Sequence, residues 1–292
     1  MTELLLLLGL LTGVAAAARS TWSPCGLSML SSITPFGERA RGHRYAVTAG
    51  WFVLGATIGG ATLGATAAGL SAVAAAVGLG RHPAVASSIA AAVAAGTAGV
   101  DAGLFGEVLP LLRRQVNDAW LARYRPWVYG AGFGWQIGVG VATYLMTAGV
   151  FLLLALAVLS ASPLAALTVG AGFGLARGLT VFLTAAAPTP ARLRRLHALL
   201  DSIGPTVRWV LVGVQAASAV VLVLSAGGTI NPLTAGGLST AAVMVVAGAV
   251  LCGAAPFACR RPIGAPAPPG AVGQPAAAPG SDVAVTGTAV GA

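Results

Sequence analysis

Residues 4–35 read LLLLLGLLTGVAAAARSTWSPCGLSMLSSITP. As one continuous helix these 32 residues would be roughly 48 Å long. A bilayer hydrocarbon core is only about 30 Å thick and is crossed by about 20 apolar residues. The run is also interrupted, at Ala18-Arg19-Ser20-Thr21-Trp22-Ser23-Pro24-Cys25-Gly26. Pro24 removes a backbone donor, and Gly26 weakens the helix further. Backbone groups released at membrane depth are tolerated only when buried in protein or lining a watery cavity. The stretch therefore predicts a broken membrane helix, the kind that builds binding sites in many transporters.

The rest of the chain agrees with a membrane setting. Of 292 residues, 57% are hydrophobic and only 8% are charged, where a soluble protein carries about a quarter charged. Mean hydropathy is +0.88. These values exclude a soluble globular protein and predict an all-α, polytopic membrane protein. Seven apolar stretches qualify as spans: residues 4–35 with its interruption, 45–79, 83–103, 128–147 merging into apolar sequence up to 160, 164–186, 209–226 and 238–258.

The 16 basic residues are all arginine, against seven acids, giving a net charge of +9. Such a balance can mark nucleic-acid binding, but here the arginines cluster between the apolar runs. Arg39, Arg41 and Arg44 fall in the first loop, Arg113, Arg114, Arg123 and Arg125 in the third, and Arg192, Arg194, Arg195 and Arg208 in the fifth. Arg260 and Arg261 open the tail, while the even loops hold only Arg81. This alternation is the positive-inside pattern. It predicts a multi-pass protein of the cytoplasmic membrane, with its N-terminus outside, its C-terminus cytoplasmic, the lipid bilayer as its main partner and no nucleic acid.

Two basic loops have amphipathic character. In 112–124, Leu112, Val116, Trp120 and Tyr124 recur every four residues. In 190–202, Leu193, Leu196, Leu199 and Leu200 form an apolar face; Thr189 caps it, Pro190 suits its first turn, and Gly204-Pro205 is expected to stop it. Both suit a lipid surface or a partner. The Pro-, Ala- and Gly-rich tail from residue 262 lacks the apolar content for a core and predicts disorder. Leu4–Leu11 could serve as the apolar core of a signal peptide, but Glu3 precedes it with no basic residue, which favours an uncleaved first span.

Ser23-Pro24-Cys25-Gly26-Leu27, followed by Ser31-Ser32-Ile33-Thr34-Pro35 and a basic loop, resembles the Ser-Pro-Cys motif of the first span in the CcdA/DsbD family of membrane thiol-relay and cytochrome c biogenesis proteins. The stretch from Ala46 to Gly55 is similar to that family's second span. The resemblance covers about residues 4–226 and implies two three-span halves in opposite orientation. The expected layout is a first repeat at 1–108, a cytoplasmic amphipathic linker at 109–127, a second repeat at 128–226, a seventh span at 227–259 and a disordered tail at 260–292. The first and fourth spans are expected to be broken.

Gly132-Phe133-Gly134-Trp135-Gln136-Ile137-Gly138-Val139-Gly140-Val141 resembles the family's second motif, Gly-Trp, one residue, Pro-Cys, one residue, Gly-Pro. In that alignment Ile137 replaces the proline, Gly138 the cysteine and Val141 the last proline, so the resemblance is to a degenerate member lacking the second motif cysteine. The resemblance implies that Cys25 is the redox thiol and that its partners are thioredoxin-like proteins. Disulfide exchange within one chain needs a second sulfur, and Cys252 and Cys259 are the other cysteines.

Arg19 and Arg177 fall inside apolar runs, where charge is costly and marks functional candidates. If both faced one cavity they could hold a small anion, with Pro24 and Gly138 at the two breaks contributing to the substrate site; otherwise each reaches an interface by snorkelling. Asp101 and Glu107 end the third span and could pair with an intramembrane arginine, couple to protons, or cap or flank the interfacial helix of 112–124. Glycines within 55–64 permit close helix packing. Three cysteines and three scattered histidines fit no metal motif, and no cofactor is expected. Three functions stay open: thiol relay through Cys25, a redox-silent transporter of a small anionic solute, and a scaffold that binds partners through the basic loops.

Overall fold

Four helix starts are written the same way, as Ser23-Pro24, Thr34-Pro35, Ser162-Pro163 and Thr189-Pro190. In each, the hydroxyl oxygen accepts the amide three residues on, from Gly26, Gly37, Ala165 and Arg192. The proline takes the first helical position, where a missing N–H costs nothing. A computed structural model of the chain describes residues 1–106, 109 and 120–227. Among these the helices are α1 (Thr2–Ser20), α2 (Pro24–Ser32), α3 (Pro35–Ala40), α4 (Tyr45–Ala76), α5 (Pro83–Ala102), α6 (Trp120–Arg123), α7 (Pro126–Val139), α8 (Gly149–Leu159), α9 (Pro163–Leu179) and α10 (Pro190–Ala226). Short 3₁₀ turns follow α4 at Leu79–Arg81 and α9 at Thr180–Ala186.

Among the described residues five segments are long and apolar enough to cross a membrane: Thr2–Ser20, Tyr45–Ala76, Pro83–Ala102, Pro163–Ala186 and Pro190–Ala226. Leu70 and Val73 of α4 and Val220 and Val223 of α10 are exposed, as lipid-facing side chains would be. The protein is an all-helical, multi-pass membrane protein. α7 and α8 are each too short to cross alone; with the non-helical stretch 140–148 between them, they fill the place of the expected fourth span. The breaks expected in the first and fourth spans are both present. The expected seventh span, the tail, Glu107, Cys252 and Cys259 lie outside the described residues, as does most of the 112–124 helix.

α4 lies at the centre, packed along α7 and α9, while α1 packs against α8 and α9 and α10 against α5. Small residues make these approaches possible. A Cβ on Gly60 would stand 2.3 Å from the Gly170 carbonyl oxygen, and one on Gly174 would stand 2.2 Å from that of Ala56. Where lipid is as apolar as the side chains, such backbone-close packing replaces hydrophobic burial as the force between helices.

One expectation is corrected. Gly204-Pro205 does not end a helix; α10 runs through it from Pro190 to Ala226. Pro205 deprives the Asp201 carbonyl of its amide donor and disturbs the turn before it. Trp22 holds that turn from outside, its indole Nε1–H donating to the Leu200 carbonyl at 2.9 Å. The indole sits against Gly204, where a Cβ would come within 2.9 Å of Nε1. Arg208, expected in a loop, is therefore inside a helix.

Candidate functional site

The first break is short and closes on itself. α1 ends at Ser20, and Ser23 caps α2, its Oγ accepting Gly26 N–H at 3.1 Å. Pro24 occupies the first helical position and Cys25 the second, so Cys25 sits at the positive end of α2. A side chain at Gly26 would lie 2.4 Å from the Thr21 carbonyl oxygen, so the chain can double back this tightly only with glycine. Ser23 and Cys25 are both buried.

At the second break, Gly140 has φ +75° and ψ −47°, and Val141 N–H donates to the Val139 carbonyl at 2.8 Å. This is the rare γ-turn. α8 begins on the far side, and its N-terminus is capped from another helix. Asp101, in the last turn of α5, accepts Ala148 N–H at 2.9 Å, Thr147 Oγ1–H at 2.7 Å and Gln215 Nε2–H at 2.8 Å. Asp101 thus serves the start of α8, a role the sequence did not suggest; most of the 112–124 helix it was expected to cap or flank lies outside the described residues.

Arg177 lies between the end of α7 and the start of α2, interacting with Ile137 and Cys25. It is 2% exposed, so it does not snorkel to an interface. Its Nη1 donates at 2.7 Å to the Ile137 carbonyl in the last turn of α7. A cation there matches the negative end of the half-helix. The guanidinium also lies over the Phe173 ring, 5.8 Å from its centroid, and Cys25 is its electrostatic neighbour. Nη2 is buried with no hydrogen-bond partner among the described residues. Gly138 faces away, into α4, and a Cβ there would lie 2.1 Å from the Ala56 carbonyl oxygen. A side chain at that position requires α7 and α4 to separate.

Arg19 stands elsewhere. It lines two adjoining cavities of about 520 and 430 Å³, which it shares with Arg208 and Met146; Arg177 lines neither. In these two cavities Arg19 stands with Arg208, not with Arg177. The break after Ser20 separates Arg19 from the Cys25 turn, and the continuous α10 carries Arg208 inward.

The sequence reading missed a second buried carboxylate. Glu38 is fully buried on α3, ion-paired with Arg41, and accepts Thr48 Oγ1–H and Tyr129 Oη–H, each at 2.6 Å. It ties α3 to α4 and α7. The one signal available was that Glu38 is the only acid in an otherwise basic loop.

The chain is 34% identical over 185 residues to the methylamine utilization protein MauF of Paracoccus versutus. The match covers 59% of this chain and 64% of that protein, so the chain spans just under two thirds of its relative's length. No family model matches the sequence. No solved structure matches it.

Proposed function

We propose that this protein is a seven-span, inverted-repeat member of the CcdA/DsbD type in the cytoplasmic membrane, N-terminus outside, that passes reducing equivalents through the single thiol of Cys25. One observation carries this reading: Arg177 bonds the last turn of α7 before the second break, and Cys25, at the start of α2 after the first break, is within electrostatic range of its guanidinium. The relative is named for methylamine utilization, and we extend that setting to this chain.

The chemistry works with one cysteine if the partners bring two each. The Cys25 sulfur gives up its proton and attacks a partner's disulfide. That S–S bond breaks, a Cys25–partner disulfide forms, and the partner's other sulfur leaves and takes up a proton. A thioredoxin-like dithiol then attacks Cys25, releasing the first partner as a dithiol. Its second thiol attacks in turn, leaving the donor oxidised and Cys25 reduced. Two electrons have passed from donor to acceptor. Gly138 has no room for the sulfur that would close this cycle inside the chain.

Trapping tests this directly. Cells carrying the Cys252→Ser/Cys259→Ser chain are acid-quenched, alkylated and run on non-reducing gels. Reductant-sensitive adducts of higher mass are expected, absent from Cys25→Ser, which should also fail to restore growth on methylamine to cells lacking the gene. Normal growth with Cys25→Ser, and no adduct on the retained Cys25, would overturn the relay.

A further inference from the structure

Arg19 and Arg208 form a second polar centre that the thiol site does not use. They line the cavity of about 520 Å³ together with Asp101, Tyr144, Met146 and Leu211. The two cations are within electrostatic reach of each other and repel; Asp201 lines the adjoining cavity with them, and Asp101 is the described carboxylate that lines this one. That carboxylate is already committed, since its oxygens accept Thr147, Ala148 N–H and Gln215. Among the described residues neither arginine forms an ion pair with it. Arg208 spends one nitrogen, Nε, on the Asp101 backbone carbonyl at 2.7 Å. The guanidinium of Arg19 makes no hydrogen bond among the described residues. What the cavity offers an anion, among the described residues, is the unbonded guanidinium of Arg19 beside that of Arg208, facing a space of the size small molecules occupy. Holding two like charges together at a cavity is costly unless an anion joins them.

We propose that this cavity binds a monoanionic oxyanion, a carboxylate or a phosphodiester, gripped between Arg19 and Arg208. The planar, multi-donor guanidinium suits such groups, and Met146 and Leu211 accommodate an apolar substituent. The phosphodiester could belong to a phospholipid headgroup and the carboxylate to a free solute. The site is separate from Cys25 and does not depend on thiol chemistry.

Full-length protein delipidated in dodecyl maltoside provides the test. Sodium acetate and sodium phosphate are titrated by calorimetry, and phosphatidylglycerol is added before native mass spectrometry. Saturable one-to-one binding of acetate or phosphate identifies a free anion; a single retained phosphatidylglycerol with both salts silent identifies the headgroup. In either case Arg19→Gln should weaken binding at least tenfold, and the exposed Arg194→Gln should leave it unchanged. Arg208→Gln should act like Arg19→Gln, but it also removes the bond to the Asp101 carbonyl, so Arg19→Gln is the deciding variant. Absence of binding by all three probes, or wild-type binding by Arg19→Gln, would overturn the site.

Discussion

The two interrupted spans are held open in opposite ways. The break at 21–23 is three residues long and supplies its own cap, Ser23, and its own close-approach glycine, Gly26, while its Trp22 reaches out to the Leu200 carbonyl of α10. The break at 140–148 is nine residues long, turns through a strained Gly140, and borrows its partners from α5, α9 and α10. Where the anchors are local, losing one should cost little and stay local. Where they are shared among helices, one loss should loosen the bundle.

The largest effect is therefore expected at Asp101. Asp101→Ala strips the acceptor from three buried donors at once and should cost about 3 kcal/mol, even with membrane hydrogen bonds at the weak end of their range. Denaturation in increasing SDS, followed by circular dichroism, measures it. A loss no greater than that of a simple helix cap would break the contrast between the two interruptions.

Gly140→Ala comes next. The γ-turn places φ at +75°, and an added Cβ would meet the Phe173 ring at 2.8 Å. The backbone strain alone should cost about 2 kcal/mol. The same SDS titration should show a smaller shift than for Asp101→Ala. An unchanged midpoint would mean that the turn relaxes freely and that the second break is not fixed by its glycine.

This contrast also explains what could be read from the sequence. The first break is spelled out by neighbouring residues, Ser23, Pro24 and Gly26, so its position was legible. The glycines of α4 announced close packing for the same reason. The second break was expected from resemblance, but its anchors were not, because Asp101, Thr147, Arg177 and Gln215 are far apart in the chain. Arg177 stood out as a charge in an apolar run, yet nothing in the sequence paired it with Ile137 or Cys25. Arg208 was hidden for a different reason. Pro205 reads locally as a helix stop, and only the distant Trp22 indole shows why the helix continues and carries Arg208 to the cavity.

The smallest effect on stability should come from Ser23→Ala, and it separates the breaks most sharply. Losing a serine cap costs about 1 kcal/mol, and α2 is a short helix whose first turn holds Cys25. The loss should appear there rather than in the bundle: alkylation of Cys25 by a membrane-permeant maleimide should speed up severalfold while the SDS midpoint barely moves. Asp101→Ala should do the reverse, lowering the midpoint before Cys25 becomes more reactive under native conditions. If Ser23→Ala unfolds the protein as readily as Asp101→Ala does, the first break is not self-contained. In that case α2 is held by the bundle through contacts such as the Thr184 hydroxyl donating to the Ile33 carbonyl at 2.9 Å, and the thiol is gated by the whole fold instead of by its own first turn.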